Sequence, residues 1–181
     1  MEFNVNCNSV LLMSISRIFP VLLIIAALAT SCKNSLDRYG EDFHSFMRYD
    51  EGLFRGANIG DNQEKVRSNE GLAPSTFDEN SLTFAGGINA HAQYTVNYGF
   101  EEDKLFEISA EVKTDSTGKG AGLNQAFVQY YTNQFGAPVS DRGYLVWSIP
   151  MNNEIVQIEM SDEGEAEETG IWTLNIYKKN P

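Results

Sequence analysis

Beyond residue 80 the chain alternates apolar and polar side chains with period two. "SLTFAG" puts Leu82 and Phe84 on one side. "NAHAQYTVNYGF" alternates through Ala90, Ala92, Tyr94, Val96, Tyr98 and Phe100. "KLFEISAEVKT" predicts a face of Phe106, Ile108, Ala110 and Val112, and the "EEDK" before it reads as a hairpin loop. Near the C-terminus "NEIVQIEM" alternates through Val156, Ile158 and Met160, and "GIWTLNIYKK" through Trp172, Leu174 and Ile176. Strict alternation predicts antiparallel strands with one buried face. "GYLVWSIP" is apolar on both faces, which predicts a central strand.

Helical spacing occupies the intervals. In "AGLNQAFVQYYTNQFGAP", Leu123, Ala126, Phe127, Tyr130 and Tyr131 fall at i, i+3, i+4, i+7 and i+8, one face of a helix that Gly136 and Pro138 would end. A shorter helix is predicted in "IGDNQEKVRSNEG", capped by Asp61 with Glu64 three places on and ended by Gly71. Its apolar face is thin: Ile59, Val66, Leu72. A third short helix is predicted around Phe43, Phe46 and Met47, bounded by Gly40 and Gly52. "TDSTGKGAG", residues 114–122, lacks the serine or threonine after Lys119 that a phosphate loop requires and reads as a linker.

Residues 18–29, "IFPVLLIIAALA", are the one continuous apolar run. Twelve residues fall short of the roughly 20 that span a bilayer but suit a signal-peptide core, and Arg17 supplies the charge in front of it. Ala29, Thr30 and Ser31 follow, then Cys32. This arrangement resembles the lipobox of bacterial lipoproteins, with Ala29 where that pattern commonly has Leu. The resemblance implies removal of residues 1–31, a lipid on Cys32, and a membrane as the first partner. Translation from Met13 would still give a complete signal. The Cys-Lys start resembles Bacteroidota lipoproteins, and Lys33 at the second place implies the outer membrane. The acidic residues that usually mark surface export are missing just after it, so a periplasmic-facing protein is expected. Cys7 is lost with the signal, which leaves no disulfide framework.

Residues 32–57 read as a lipid-anchored tether and entry segment and 58–181 as a single α+β domain, an antiparallel sheet packed against helices. The order helix, three strands, helix, three strands suggests a tandem αβββ-αβββ pseudo-repeat with halves 58–115 and 120–181. One unit would leave a sheet face bare, and two close a core. The layout, the "IGD" ahead of a capped helix and the "FGAP" turn resemble the αβββ modules of BamE-like lipoproteins and of the beta-lactamase-inhibitor-protein-like fold. Those families use such modules for binding and assembly, so the resemblance implies a non-enzymatic role.

Net charge is −12, which disfavours nucleic acid as a partner, since phosphates need a basic surface. His44 and His91 lack metal-ligand spacing, no GxSxG elbow is present, and no motif predicts a cofactor or metal. His91 is out of phase with its strand's apolar face and reads as exposed. "SDEGEAEETG" reads as a solvated acidic hairpin tip that a basic partner surface or a cation would fit. The candidate partner surface is Tyr94, Tyr98, Tyr130, Tyr131 and Trp147, with Glu165 and Glu167 at its rim. The resulting expectation is a lipid-anchored accessory module that binds another envelope protein. A glycan-binding accessory is the alternative and requires an exposed row of Trp or Tyr. A small hydrolase comes third and requires a deep pocket holding paired acids or His91.

Overall fold

The alternating segments assemble into one eight-stranded antiparallel sheet. The computed structural model describes residues 35–115, 117–162 and 170–179. The strands are β1 Thr76–Phe77, β2 Ser81–Asn89, β3 Ala92–Glu101, β4 Lys104–Thr114, β5 Val139–Asp141, β6 Tyr144–Met151, β7 Glu154–Asp162 and β8 Gly170–Lys178. Their order across the sheet is β1-β2-β3-β4-β8-β7-β6-β5. Among the described residues the α-helices are α1 Glu41–Met47, α2 Gln63–Glu70 and α3 Thr117–Phe135, and a 3₁₀ turn covers Ser35–Tyr39. The α+β class is therefore present, and each half adds one short strand, β1 or β5, to the three strands expected after its helix. Each half is a short edge strand followed by a three-strand meander. The last strands of the two halves pair antiparallel, Ala110 opposite Leu174.

One face of this sheet carries the core. Registers align Tyr94 with Val112 and Val112 with Trp172, then Val96 with Ala110 and Ala110 with Leu174. Phe127 of α3 sits over this face, with ring centroids 4.6 Å from Phe43, 5.6 Å from Phe46 and 5.2 Å from Trp172. Tight turns set the hairpins. Glu102-Asp103 and Asn152-Asn153 both have positive φ, the type I′ geometry whose twist matches that of paired strands.

Three expectations need correction. Residues 35–57 are not a tether: Leu36, Phe43, Phe46, Met47, Leu53 and Phe54 are all buried in the same core as the sheet. An aromatic-rich segment cannot stay in water when an apolar sheet face lies open beside it. Phe106 does not share the face of Ile108. Gly99 pairs with Glu107 and Phe100 with Leu105, so Phe106 is the extra residue of a bulge. Leu105 takes the buried place, and Phe106 is 41% exposed. Its ring lies over Gly99, where an added Cβ would stand 3.1 Å from it. β6 is not central. It is next to the edge; Leu145 joins Trp147 and Ile149 on the core face, and Val146 on the other face is only half-buried, opposite Val139 of β5.

Smaller differences concern helix ends. Asn62, not Asp61, caps α2 by accepting from the Lys65 backbone N–H at 2.9 Å. Gly71 closes α2 in the left-handed conformation, as expected. α3 begins at Thr117, so most of the expected linker is helical.

A chain beginning at residue 58 will therefore lose cooperative unfolding, because it lacks α1 and the aromatic cluster on Phe127, while one beginning at residue 35 will melt in a single transition. Near-UV circular dichroism against temperature separates the two outcomes.

Candidate functional site

The alternation that buries one sheet face leaves the other to polar side chains. Across the middle of the sheet one row runs Thr83, Asn97, Ser109, Asn175, Glu159. A parallel row runs Ala85, Thr95, Glu111, Thr173, Ser161. Hydroxyls and amides bond along these rows. Thr83 Oγ1 donates to Asn97 Oδ1 at 2.9 Å, Ser109 Oγ to Asn175 Oδ1 at 2.8 Å, and Ser161 and Thr173 hydroxyls meet at 2.6 Å. Tyr177 donates to Glu159 Oε1 at 2.5 Å. Its hydroxyl pKa is pushed up to about 12, by desolvation first and then by Glu159. No helix covers this face among the described residues: the helix contacts fall on the core side.

The aromatic residues expected at the surface are inside. Tyr94, Tyr98, Tyr130, Tyr131 and Trp147 are all buried. Tyr94 and Tyr98 share the phase of Val96, and Tyr130 and Tyr131 lie on the core side of α3. Each of several polar tips is satisfied there: Tyr131 donates to the Leu53 carbonyl and Trp147 Nε1 to the Gly136 carbonyl, both at 3.0 Å. Burial of such rings is favourable when the polar end finds a partner. Glu165 and Glu167 lie outside the described residues, as do Cys32 and Met13.

Tyr94 and Tyr98 instead line a buried charge pair. Arg55 and Glu70 are 2% and 1% exposed. Arg55 Nε donates to Glu70 Oε1 at 2.8 Å and Nη2 to Oε2 at 2.6 Å, a bidentate fork. Arg55 Nη1 also donates to the Phe46 carbonyl, Tyr98 donates to Glu70 Oε1 at 2.5 Å, and Arg48 closes the cluster on the Glu70 carbonyl at 2.5 Å. The guanidinium lies 5.0 Å from the Tyr94 ring and 5.4 Å from that of Phe46. Burial pulls the Arg55 pKa down, but the hydrogen bonds and charge of Glu70 outweigh it and the net shift is upward. Every part of this cluster is paired inward, so it holds the fold and offers nothing to a ligand.

Open depressions ring the sheet. One of about 500 Å³ is lined by Ala85, Gly87, Gln93, Thr95, Glu111 and Lys113. Two others, of about 560 and 470 Å³, share Phe106 and Lys178 at the opposite end of β4. His91 is exposed on the β2–β3 hairpin, its Nδ1 2.5 Å from Asp115, and His44 is 2.7 Å from Asp37. Among the described residues no three His, Cys, Asp or Glu side chains converge as a metal site would require.

No family model, curated protein or solved structure matches this chain.

Two predictions follow from the buried groups. Arg55→Met leaves Glu70 without its partner in the core and should cost about 3–5 kcal/mol, read as the shift in urea unfolding. Arg55→Met with Glu70→Leu should recover most of that loss. The tyrosines give a pH signature. Burial raises Tyr98 and Tyr131 well above the usual 10.0, and Tyr130 to about 12. The unfolded chain gives up these protons near pH 10 while the fold retains them, so protons favour the native state there. The contribution of these tyrosines to stability should be constant below pH 10 and fall as pH rises from 10 towards 12, seen in urea midpoints taken at successive alkaline pH values.

Proposed function

We propose that this chain is a lipid-anchored binding module of the bacterial cell envelope. It is non-enzymatic, is held to the outer membrane through Cys32, faces the periplasm, and engages another envelope protein through the open face of its sheet. The observation that carries this reading is the division of one sheet into a packed face and a bare one. Six of the eight strands bury an apolar side under helices, while the other side keeps rows of Asn, Ser, Thr and Glu. Such a surface supplies many hydrogen-bond groups on a rigid frame. Among the described strands its acids Glu101, Glu107, Glu111 and Glu159 outnumber the lysines Lys104 and Lys113, which suits a partner with basic side chains.

The fold also supports close anchoring. Ser35 is already in the 3₁₀ turn and bonds to Asp50, and Leu36 is fully buried. Only Lys33 and Asn34 separate Cys32 from this turn. Three residues reach about 10 Å when extended, so a lipid on Cys32 would keep the domain at the membrane surface with no long leash. The glycan reading requires an exposed row of Trp or Tyr; Tyr94, Tyr98, Tyr130, Tyr131 and Trp147 are buried and so serve neither reading, and Tyr177 stands on the open face beside Glu159.

Both halves of the proposal can be tested in one strain. Wild type should take up an alkyne fatty acid and sediment with membranes, and Cys32→Ala should do neither. Photo-crosslinking residues at Asn97, Ser109 or Asn175 should capture a discrete envelope protein, whereas the same probe at Glu41 on α1 should not. Labelling of Cys32→Ala overturns the anchor. Equal capture from both faces, or none from the open face, overturns the surface.

A further inference from the structure

Among the described residues five aromatic rings are exposed: Tyr49, Phe77, Phe106, Phe135 and Tyr144. Three of them are covered by their own chain. Arg48 lies 5.8 Å from the Tyr49 ring and Arg67 5.1 Å from that of Phe77, while Phe135 stacks on Tyr131 at 6.2 Å. Phe106 has neither a ring nor a cation against it among the described residues.

Phe106 belongs to the open face of the sheet. Gly99 has the phase of Thr95 and Asn97, which point away from the core. A Cβ added to Gly99 would stand 3.1 Å from the Phe106 ring and 3.7 Å from Glu107 Cβ, so ring and glutamate share that face. The bulge holds Phe106 there, since Leu105 takes the place in the core. Bulges re-aim single side chains in this way.

The surroundings of the ring are acidic. Two open depressions of about 560 and 470 Å³ border it, and Glu101 and Glu102 line both. Lys178 lines both as well, but its ammonium is paired with Glu154. Among the residues that line the depressions or adjoin Gly99, Glu101, Glu102 and Glu107 then stand against Lys104. Tyr177 lies opposite Glu107 on the next strand. Desolvation first, then Glu159 and Glu107, push its hydroxyl pKa up to about 12, so the negative field reaches across the seam.

An uncovered ring among carboxylates has a chemical complement. The ring attracts a cation over its face, and a carboxylate accepts two N–H groups of a guanidinium side by side. Arginine meets both demands at once, because its plane stacks while its edge donates. A lysine ammonium is a compact and strongly hydrated point charge. An apolar side chain would bury these carboxylates without partners, which is costly. The core of the same protein already contains the arrangement: Arg55 lies over Phe46 and Tyr94 while it forks onto Glu70.

We infer that Phe106, with Glu101 and Glu107 beside it, seats an arginine side chain of the protein that binds the open face. The inference rests on that proposed surface and names the chemistry it selects.

A dye-labelled Gly-Arg-Gly-Arg-Gly peptide with blocked ends tests the seat, by fluorescence anisotropy against the full chain in nonionic detergent. Gly-Lys-Gly-Lys-Gly controls for charge alone. Wild type should bind the arginine peptide at least about threefold more tightly than the lysine peptide. Phe106→Leu preserves the charge and an apolar side chain over Gly99 but lacks the ring. It should weaken arginine binding about fivefold and remove the preference over lysine. Phe106→Trp should keep or strengthen both, and Glu107→Gln should weaken binding of either peptide. Phe77→Leu, whose ring already lies under Arg67, should leave binding unchanged. Melting temperatures measured beside these show that each variant is folded. Equal binding of the two peptides by wild type overturns the inference, and so does arginine binding indifferent to Phe106→Leu in a folded variant. The proposed surface fails by a different result, the absence of photo-capture from Asn97, Ser109 and Asn175, so the two failures are told apart.

Discussion

The Arg55–Glu70 fork determines where the first quarter of the described chain lies. Arg55 sits in a turn with φ 50, next to Gly56 at φ 79. The turn closes through the Phe54 and Ala57 backbone, with Ala57 N–H donating to the Phe54 carbonyl at 2.8 Å. A bulky residue is uncommon in this left-handed region. Here the conformation aims the guanidinium into the core, where it ties three separate elements together: the end of α1 through the Phe46 carbonyl, the end of α2 through Glu70, and β3 through Tyr98 bonding to the same carboxylate. Two desolvated charges are costly to bury. They are tolerated because each oxygen and each guanidinium nitrogen has a named partner. A purely apolar contact would allow residues 35–57 to slide over the sheet. The fork admits one position, and that position brings Phe43 and Phe46 onto Phe127.

Much of this architecture is legible in the sequence because it depends on period. β3, β7 and β8 are clean alternations, and their buried faces are the ones the pattern assigns. The same alternation read in the opposite phase contains the open face: Thr95, Asn97, Ser109, Thr173 and Asn175 are simply its polar half. The candidate aromatics were misplaced because tyrosine fits either phase by composition. Only their spacing relative to Val96 and Phe127 decides, and that spacing puts them inside.

What could not be read depends on long-range partners or on a change of count. A bulge adds one residue and reverses the phase after it, so Phe106 looks interior from the C-terminal side of β4 and exterior once Gly99 is paired with Glu107. Residues 35–57 carry helical spacing at Phe43, Phe46 and Met47, but nothing local says that their face meets a sheet. The charged Arg55 within "GLFRGAN" was the available signal, since an arginine amid aromatics is either a surface break or one half of a buried pair. Its partner lies 15 residues on, in a helix whose other faces are polar. Apolar residues on both faces of β6 predict a central strand, yet Val146 on its second face meets Val139 of the short β5 at the flank.

The open face has its origin in the way the halves join. β4 and β8 pair at the seam, which puts the longest strands in the middle and pushes each half's short strand to a flank. α3 crosses the seam and packs on β4, β6 and β8, while α1 covers β2 from the same side. All three helices are thereby used on one face. Among the described residues no element covers the other face, and its polar rows suit contact with water. Charge then limits what the bare surfaces can meet. Carboxylates on the open face repel another acidic copy.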